Sequence, residues 1–509
     1  MSRSLAASFF YNGKLPFFLS VISTLVILIW TYWLCQFGYD FADEGFYLVW
    51  AQNPTHYPAS VSQFGFVYHP LFVLLNENIV SFRRVNIAST YFLATSLFFY
   101  LLKIRIINPK RDAYWKILAI SLSLGTSCLI FLRLWLPTPS YNWLTFQGLL
   151  LSSIALLIGY KRSKKKDLLS SFLIAFSVCI VFLAKPTSSV ALSLVVLGYF
   201  TLTKNYLRLI YSIIFGVVIF LIAALLIDGS IGNFINRYIA GLYQLNLMSN
   251  YQYSLKVFRI DNFDFDKSFV FSVFVFLSLV YISTKISDRL FIGAIIAIFF
   301  LILLIGIVFF NINFIPPSNN QHLIVAFSLI TIFLRHGLDF VRAHGAAELS
   351  TFIFLPFIFV IGTGNNYWWL SGLVSIFYVA LWLHIYSINS NEKSYFRQIL
   401  IFSFFIQIYS ANMILIGSMN PYYQPQPLKD MYSNVDSAPR LQSIKMSNIN
   451  AKYLEQVVEV LNRNQFLPKT PVIDLTGHSP GLLFAIDAIS LGLPWIQGNY
   501  SAIDSTLNF

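Results

Sequence analysis

The chain has 509 residues, of which 57% are hydrophobic and only 11% are charged. This composition excludes an ordinary soluble domain, and the mean hydropathy of +0.68 is typical of a helical protein that crosses a membrane many times. The formal net charge of +13 does not indicate a nucleic-acid partner. Lys and Arg instead fall in short runs between apolar segments, as they do in the cytoplasmic loops of membrane proteins.

Apolar segments of about 20 residues recur along the chain and predict about 13 transmembrane helices. The predicted spans cover 17–37, 85–105, 115–132, 140–160, 168–184, 187–203, 207–227, 269–284, 289–310, 321–335, 350–363, 367–386 and 397–416. The first is expected to remain as an uncleaved helix, because no small-residue cleavage site follows it. The three cysteines lie in or beside spans without metal-type spacing, so we expect packing roles and no disulfide.

The segment 64–82 is apolar but contains His69, Pro70 and Glu77, which suit a lipid-facing span poorly. We therefore predict a helix that lies at the membrane interface. With this segment left out, the Lys- and Arg-rich loops all fall on one side of the membrane, which the positive-inside rule assigns to the cytoplasm. The opposite, outer side then holds the longer, cation-poor segments 38–84, 133–139, 228–268, 311–320 and 417–509.

The last segment, 417–509, is more polar than the rest and begins with a Pro-rich stretch. An amphipathic helix at 451–464, a strand at 471–475 and a helix at 481–491 predict a small α/β domain on the outer face. The predicted fold class is therefore an all-α polytopic membrane domain over 1–416, followed by an α/β extracytoplasmic domain.

Two adjacent carboxylates, Asp43 and Glu44, follow the first predicted span. Because charged residues are scarce in this chain, an acidic pair at the outer mouth of the bundle indicates a catalytic site. A carboxylate there can take a proton from a hydroxyl or bind a divalent metal ion. The structural alternative is a helix cap, in which Asp43 caps a helix over 44–52 and Asp40 is merely solvated.

His56, His69 and Glu77 lie in the same outer loop and can supply imidazole and carboxylate ligands to a metal ion. Their spacing follows no metal-binding motif. An interfacial hydrogen bond is the simpler explanation for each of them, and the metal site is the alternative hypothesis.

Basic residues on the outer side are candidate ligands for a lipid phosphate, namely Lys185, Arg133, His322 and Arg237. Lys185 stands where Pro186 separates two spans, and a Lys at membrane depth needs a partner unless it snorkels to the interface. Arg237 lies in the outer loop 228–268 on a predicted amphipathic helix, 231–247, which can gate a lipid entrance.

The stretch that follows Arg133 contains two prolines and then Ser140, Tyr141 and Asn142. The side chains of these three residues can hydrogen-bond a sugar. A turn bounded by the prolines explains the same residues with no ligand. The sequence alone leaves both interpretations open.

Taken in order, these motifs resemble the GT-C membrane glycosyltransferases. The nearest branch is that of the protein O-mannosyltransferases and lipid A aminoarabinose transferases, which includes bacterial lipopolysaccharide-core transferases. The matching stretches are Asp43-Glu44 with the following Tyr47, His69-Pro70-Leu71 continuing to Arg84-Val85-Asn86, and Ala184-Lys185-Pro186-Thr187. The chain departs where many relatives carry a second acid in the next outer loop. It has Pro137-Thr138-Pro139-Ser140 there, which argues against a strict two-acid metal mechanism.

The resemblance implies a sugar donor carried on a polyprenyl phosphate and an acceptor that is a lipid A/core glycolipid or a protein. Asp43, with Glu44 beside it, would be catalytic, Asp43 activating the acceptor hydroxyl so that the sugar carbon is inverted. The leaving phosphate would be held by Lys185, Arg133, His322 and Arg237. Substrate would be bound by Tyr47, His69, Ser140, Tyr141 and Asn142. The resemblance leaves a divalent metal ion open as a cofactor, and implies the bacterial cytoplasmic (inner) membrane with the site facing the periplasm.

Two other classes of membrane protein remain open. A polymerase or ligase of lipid-linked glycans also has many spans, but such proteins rely on Arg-rich outer loops, and loop 228–268 has only Arg237 and Arg259 as its arginines. A transporter of lipid-linked glycans is expected to show charges in mid-span and repeat symmetry. This chain keeps its ionisable residues at helix ends.

Overall fold

The computed structural model describes residues 15–105, 111–159, 163–248, 290–313, 346–386 and 392–491. Within these ranges the chain is mostly helical. Its α-helices are α1 Leu15–Leu34, α2 Asp43–Gln52, α3 Phe64–Leu74, α4 Ile79–Arg105, α5 Arg111–Gly125, α6 Tyr141–Ile158, α7 Lys164–Ala184, α8 Pro186–Leu202, α9 Tyr206–Asp228, α10 Ile231–Met248, α11 Leu290–Phe310, α12 Ala346–Val360, α13 Tyr367–Leu370, α14 Ile376–Tyr386, α15 Glu392–Met419, α16 Asn448–Arg463 and α17 Pro480–Ala485. Short 3-10 helices cover Pro54–His56, Thr126–Leu134, Ser371–Val374, Leu428–Asp430 and Pro439–Leu441.

Seven helices of the described ranges are long and apolar enough to cross a membrane, and a bent helix pair makes an eighth candidate. The bent pair, Tyr367–Val374 with Ile376–His384, turns by 69° where the sequence pattern predicted one continuous span at 367–386. The predicted spans 269–284 and 321–335 lie outside the described residues. Three more predicted spans correspond to shorter apolar helices, Pro186–Leu202, Ile298–Phe310 and Thr351–Val360. The structure therefore supports a polytopic membrane protein, while the count of 13 stays a prediction.

The core of the bundle is built from aromatic and aliphatic side chains on facing helices. Phe131 lies with its ring centroid 4.3 Å from that of Trp143 and stacks on Phe146 at 5.4 Å. The three cysteines, Cys35, Cys128 and Cys179, are buried free thiols, as the sequence predicted.

The predicted interfacial segment 64–82 forms a helix that ends early. Helix α3 stops at Leu74, because Asn76 and Glu77 adopt left-handed backbone conformations with φ of 52° and 56°, and α4 begins at Ile79. An α3 of 11 residues is about 17 Å long, too short to cross a bilayer. The chain thus has a short helix here and no span, and its position at the interface stays a prediction.

Helix α10 agrees with the helix predicted at 231–247 and packs against the loop before α3. The Arg237 guanidinium donates to the carbonyl oxygen of Tyr57 at 2.7 Å. Gly241 lies so close to the same loop that an added Cβ would come within 2.4 Å of the Ser60 carbonyl carbon. A glycine is therefore needed where these two backbones meet.

The described part of the carboxyl-terminal segment, 417–491, contains a two-stranded sheet. Strands β1 Pro471–Val472 and β2 Ile489–Ser490 pair in parallel. Helix α16 matches the predicted amphipathic helix, whereas α17 ends at Ala485, before the predicted limit of residue 491. Two strands of two residues each do not establish the predicted α/β domain, which stays a prediction.

The carboxyl-terminal segment contacts α2 through backbone groups. The Gly481 N–H donates to the Phe41 carbonyl oxygen at 2.8 Å, and the Tyr39 hydroxyl donates to the Gly481 carbonyl oxygen at 2.8 Å. A Cβ on Gly45 would lie 2.1 Å from the Gly481 nitrogen. The close approach fixes the start of α17 against the first turn of α2.

We expect Gly45→Ala to separate the carboxyl-terminal segment from α2, because neither backbone can move away without losing these hydrogen bonds. A cost of about 1–3 kcal/mol is typical of such overpacking. Limited proteolysis should then cut the carboxyl-terminal segment faster than in the wild type. Gly198→Ala in α8 is the control, since no atom lies within 4 Å of its added Cβ. Equal protease resistance of Gly45→Ala and wild type would contradict the assigned packing.

Candidate functional site

The first turn of α2 is capped by Asp40. The Asp40 carboxylate accepts hydrogen bonds from the backbone N–H groups of Ala42 at 2.9 Å and Glu44 at 3.1 Å, and the Asp40 N–H donates to Glu44 Oε2 at 3.2 Å. This reciprocal arrangement satisfies helix-end donors as a capping box does. Asp40 is buried, so the expectation that it is merely solvated is wrong. Burial raises its pKa to about 7, against the lowering effect of its two backbone hydrogen bonds.

Glu44 forms a buried ion pair with Arg83 at the start of α4. Arg83 Nη2 lies 2.6 and 2.7 Å from the two carboxylate oxygens, and the Thr138 hydroxyl donates to Oε1. Arg83 also donates to the carbonyl oxygens of Cys35 and Gly38, at 2.7 and 2.8 Å. Because every strong acceptor position of Glu44 is taken, we reassign it from catalysis to fixing the loop after α1.

Sequence reasoning missed Arg83 and selected its neighbour Arg84. Arg84 is exposed and donates to the Tyr32 carbonyl oxygen at 3.2 Å. The spacing of apolar residues along α4 could have identified Arg83 as buried. Ile79, Arg83 and Ile87 are spaced four residues apart and are all buried, so they share the inward face of α4.

Asp43 is the first residue of α2 and has no capping role. Its side chain is half-buried. Burial raises the pKa of Asp43, and the facing hydroxyl of Tyr422, from the carboxyl-terminal segment, lowers it by a smaller amount. Of the three acids in this loop, Asp40 caps the helix and Glu44 pairs with Arg83. Asp43 is left available for chemistry.

Two tyrosines lead from Asp43 into the bundle. Tyr47 lies one helical turn after Asp43 on the same face of α2 and is buried. Its ring centroid is 5.8 Å from that of Tyr141, at the start of α6, and both rings also pack against Phe64 at 6.0 Å. Burial raises the pKa of Tyr47 well above its ordinary value, so the phenol stays protonated and can donate a hydrogen bond.

Lys185 lies beyond Tyr141, at the break between α7 and α8. Its Nζ is 5.4 Å from the Tyr141 ring centroid and 4.6 Å from that of Phe359, and it donates to the Phe359 carbonyl oxygen at 3.1 Å. Burial lowers the pKa of Lys185 to about 7, and among the described residues no carboxylate offsets this. We call Asp43, Tyr47, Tyr141, Lys185 and Tyr422 the Asp43–Lys185 site.

The remaining residues of the α6 stretch divide into two kinds. Ser140 is the N-cap of α6 and accepts from the Trp143 N–H at 3.3 Å, which supports the turn interpretation for this residue. The Asn142 amide oxygen is buried, and no described residue hydrogen-bonds it, so it can accept from a ligand.

Arg133, a predicted phosphate ligand, lies in the 3-10 helix Thr126–Leu134. It is half-buried and within electrostatic range of Tyr409 on α15.

Arg237 pairs with a carboxylate of the chain, and phosphate binding by Arg237 stays a prediction. Its guanidinium forms an ion pair with Asp228, from Nε at 2.9 and 3.0 Å and from Nη2 at 2.5 Å, and lies over the Phe66 ring at 5.2 Å. With Tyr57 as its further acceptor, Arg237 ties α10 to the end of α9 and to the outer loop. His322, the other distal candidate, lies outside the described residues.

The structure does not bring His56, His69 and Glu77 together as metal ligands. His56 is exposed, the His69 Nδ1 lies 2.8 Å from the Ala51 carbonyl oxygen, and Glu77 pairs with Arg440. In the part of the chain that the structure describes, no three His, Cys, Asp or Glu side chains form a group that could hold a metal ion. The structure gives His69 a hydrogen-bond contact with the Ala51 carbonyl, as the simpler explanation expected, while its place at a membrane interface stays a prediction.

No protein-family model, no curated protein and no solved structure matches the chain.

Proposed function

We propose that the protein is a glycosyltransferase that moves a sugar from a polyprenyl-phosphate donor to a hydroxyl of a cell-envelope acceptor. One observation carries the proposal. Among the described residues, Asp43 is a half-buried carboxylate outside the helix cap and the Arg83 ion pair, and Lys185 is a buried ammonium with no carboxylate partner. The two lie at opposite ends of the Tyr47–Tyr141 pair. A base and a cation set apart in this way suit a reaction that removes a proton at one end and releases a phosphate at the other.

In the proposed reaction the Asp43 carboxylate takes the proton of the acceptor hydroxyl. The acceptor oxygen then forms a bond to the anomeric carbon from the face opposite the phosphate, while the bond between that carbon and the phosphate oxygen breaks. The electron pair of the broken bond leaves with the polyprenyl phosphate, whose growing negative charge is stabilised by the Lys185 ammonium. Inversion at the sugar carbon follows from this single displacement.

The resemblance to the GT-C membrane glycosyltransferases supports a bacterial cytoplasmic membrane location, with the site on the periplasmic face. The acceptor would be a lipid A/core glycolipid or an envelope protein. The polymerase or ligase of lipid-linked glycans is the alternative within the same chemistry, because it would also use a base and a phosphate-binding cation.

Mass spectrometry of envelope glycans from a deletion strain tests the proposal. We expect the loss of one defined sugar linkage, restored by the wild-type protein. Loss of a long polymer with each individual linkage retained would favour the polymerase. An unchanged set of glycans would contradict the transferase and favour a transporter.

Donor binding is expected to depend on pH through Lys185. With a pKa of about 7, the Lys185 side chain is mostly a neutral amine above pH 7 when no donor is bound. A bound phosphodiester stays charged and therefore favours the protonated ammonium form of Lys185. Binding therefore takes up a proton, and the donor Kd should rise by up to about tenfold per pH unit above pH 7. Titration of the purified protein with a polyprenyl-phosphate sugar between pH 6 and pH 9 measures this slope.

Lys185→Arg is the matched variant, because a guanidinium keeps its charge over this pH range. We expect its donor Kd to be flat between pH 7 and pH 9, and Lys185→Ala to bind weakly at every pH. A flat wild-type profile would exclude Lys185 as the phosphate ligand.

A further inference from the structure

A second polar site lies outside the Asp43–Lys185 site. A cleft of about 920 Å³ separates the turn after α3, where Asn76, Glu77 and Asn78 line it, from the carboxyl-terminal segment, where Arg440 and Asp487 line it. This volume falls within the range of sites that bind small organic ligands. We call it the carboxyl-terminal cleft.

The lining of the carboxyl-terminal cleft is rich in groups that both donate and accept hydrogen bonds. The amides are Asn76, Asn78, Gln442 and Asn462, and the hydroxyls are Ser437 and Ser443. Phe466 and Leu461 add an apolar wall on the same cleft. A sugar ring presents hydroxyls around its edge and C–H groups on its face, so amides beside an aromatic ring match both parts of it.

The charges of the cleft disfavour an anionic ligand. Arg440 donates to Asp487 Oδ1 from Nη2 at 2.6 Å and from Nε at 2.9 Å, and it also pairs with Glu77. One guanidinium against two carboxylates leaves the lining negative, so the positive charge is not available to a phosphate. A neutral ligand fits this balance.

The polar groups of the cleft are held in fixed positions. Asn76, Glu77 and Asp487 all adopt left-handed conformations, with φ of 52°, 56° and 56°, which non-glycine residues rarely do. Such conformations persist where surrounding contacts determine them, and here Arg440 bonds both carboxylates. The cleft is therefore formed before any ligand binds, which lowers the cost of binding.

Helix α2 connects the two sites. Asp43 is its first residue, and Gln52, its last, lies with its side-chain amide 3.3 Å from Asp487 Oδ1. At 1.5 Å per residue the two ends are about 14 Å apart. This separation is comparable to the length of a short saccharide chain.

From these observations we propose that the carboxyl-terminal cleft binds a neutral oligosaccharide, which is the glycan part of the acceptor. The identification of this oligosaccharide as part of the acceptor rests on the proposed function, whereas its binding in the cleft does not. The cleft would thus select the acceptor at one end of α2, and transfer would take place at the other.

Binding of the purified full-length protein in nanodiscs to an array of neutral, phosphorylated and carboxylated oligosaccharides, with no donor present, tests the proposal. We expect neutral oligosaccharides to be bound, and Asn462→Trp, which fills the cleft from an exposed position on α16, to weaken that binding by about tenfold or more. Gln456→Trp is the control, because it replaces an exposed amide on the same helix that does not line the cleft.

Three results would overturn the proposal: no binding of neutral oligosaccharides, equal binding by Asn462→Trp and wild type, or a preference for phosphorylated glycans. The assay also separates the two proposals. A wild-type protein that binds neutral oligosaccharides but transfers no sugar would retain the cleft and lose the proposed function.

Discussion

Replacing Asp43 with Asn is expected to lower the rate of sugar transfer by about 10²–10⁴-fold, the contribution typical of a general base. The amide keeps the size of the side chain and can still meet the Tyr422 hydroxyl, but it cannot take a proton. Asp40 keeps its bonds to the first turn of α2, so the fold should be unaffected. Initial rates with purified protein, donor and acceptor measure the change, and thermal unfolding checks the fold.

Asp436→Asn is the matched control, because Asp436 is an exposed carboxylate of the carboxyl-terminal segment. It should leave the rate unchanged. The wild-type rate should also fall as the pH is lowered, and this fall should begin at a higher pH than for an ordinary Asp. The reason is that burial raises the pKa of Asp43 and that the base acts only when it is deprotonated. Full activity of Asp43→Asn would remove Asp43 from the role of base.

Arg83→Met is expected to destabilise the protein by about 3–5 kcal/mol, the usual cost of breaking a buried ion pair from one side. Glu44 would remain buried with its main partner lost, and the Cys35 and Gly38 carbonyl oxygens would lose their donor. Unfolding by SDS of the purified protein, followed through tryptophan fluorescence, compares the variants.

Arg84→Met controls for the loss of a cation from the same turn of α4. Because Arg84 is exposed, we expect a change within about 0.5 kcal/mol. The double variant Arg83→Met with Glu44→Leu should recover part of the loss, since no charge then stays buried alone. If Arg83→Met unfolds at the wild-type SDS concentration, the pair does not support the loop.

The carboxyl-terminal segment contributes directly to the Asp43–Lys185 site. Tyr422 faces Asp43, and Gly481 contacts the backbone of Phe41 and the first turn of α2. The segment therefore completes the environment of Asp43.

The sequence by itself determined that the protein is a helical, polytopic membrane protein, and it determined several local features. Runs of apolar residues identify membrane helices, the amphipathic period identifies α10 and α16, and the prolyl bond after Lys185 marks the break between α7 and α8. These features depend on neighbours along the chain, which a pattern records. The scarcity of charge likewise drew attention to Asp43 and Lys185 before any geometry was known.

Only the tertiary structure decided which residue takes which role. Asp40, Asp43 and Glu44 are equivalent in the sequence, and they differ because Glu44 meets Arg83 from another helix while Asp43 meets Tyr422 from the far end of the chain. The short sheet and the early end of α3 also depend on distant contacts and on left-handed residues that no local period predicts. Partners that are remote along the chain set the desolvation and the charge pairing of each side chain, and these set its chemistry.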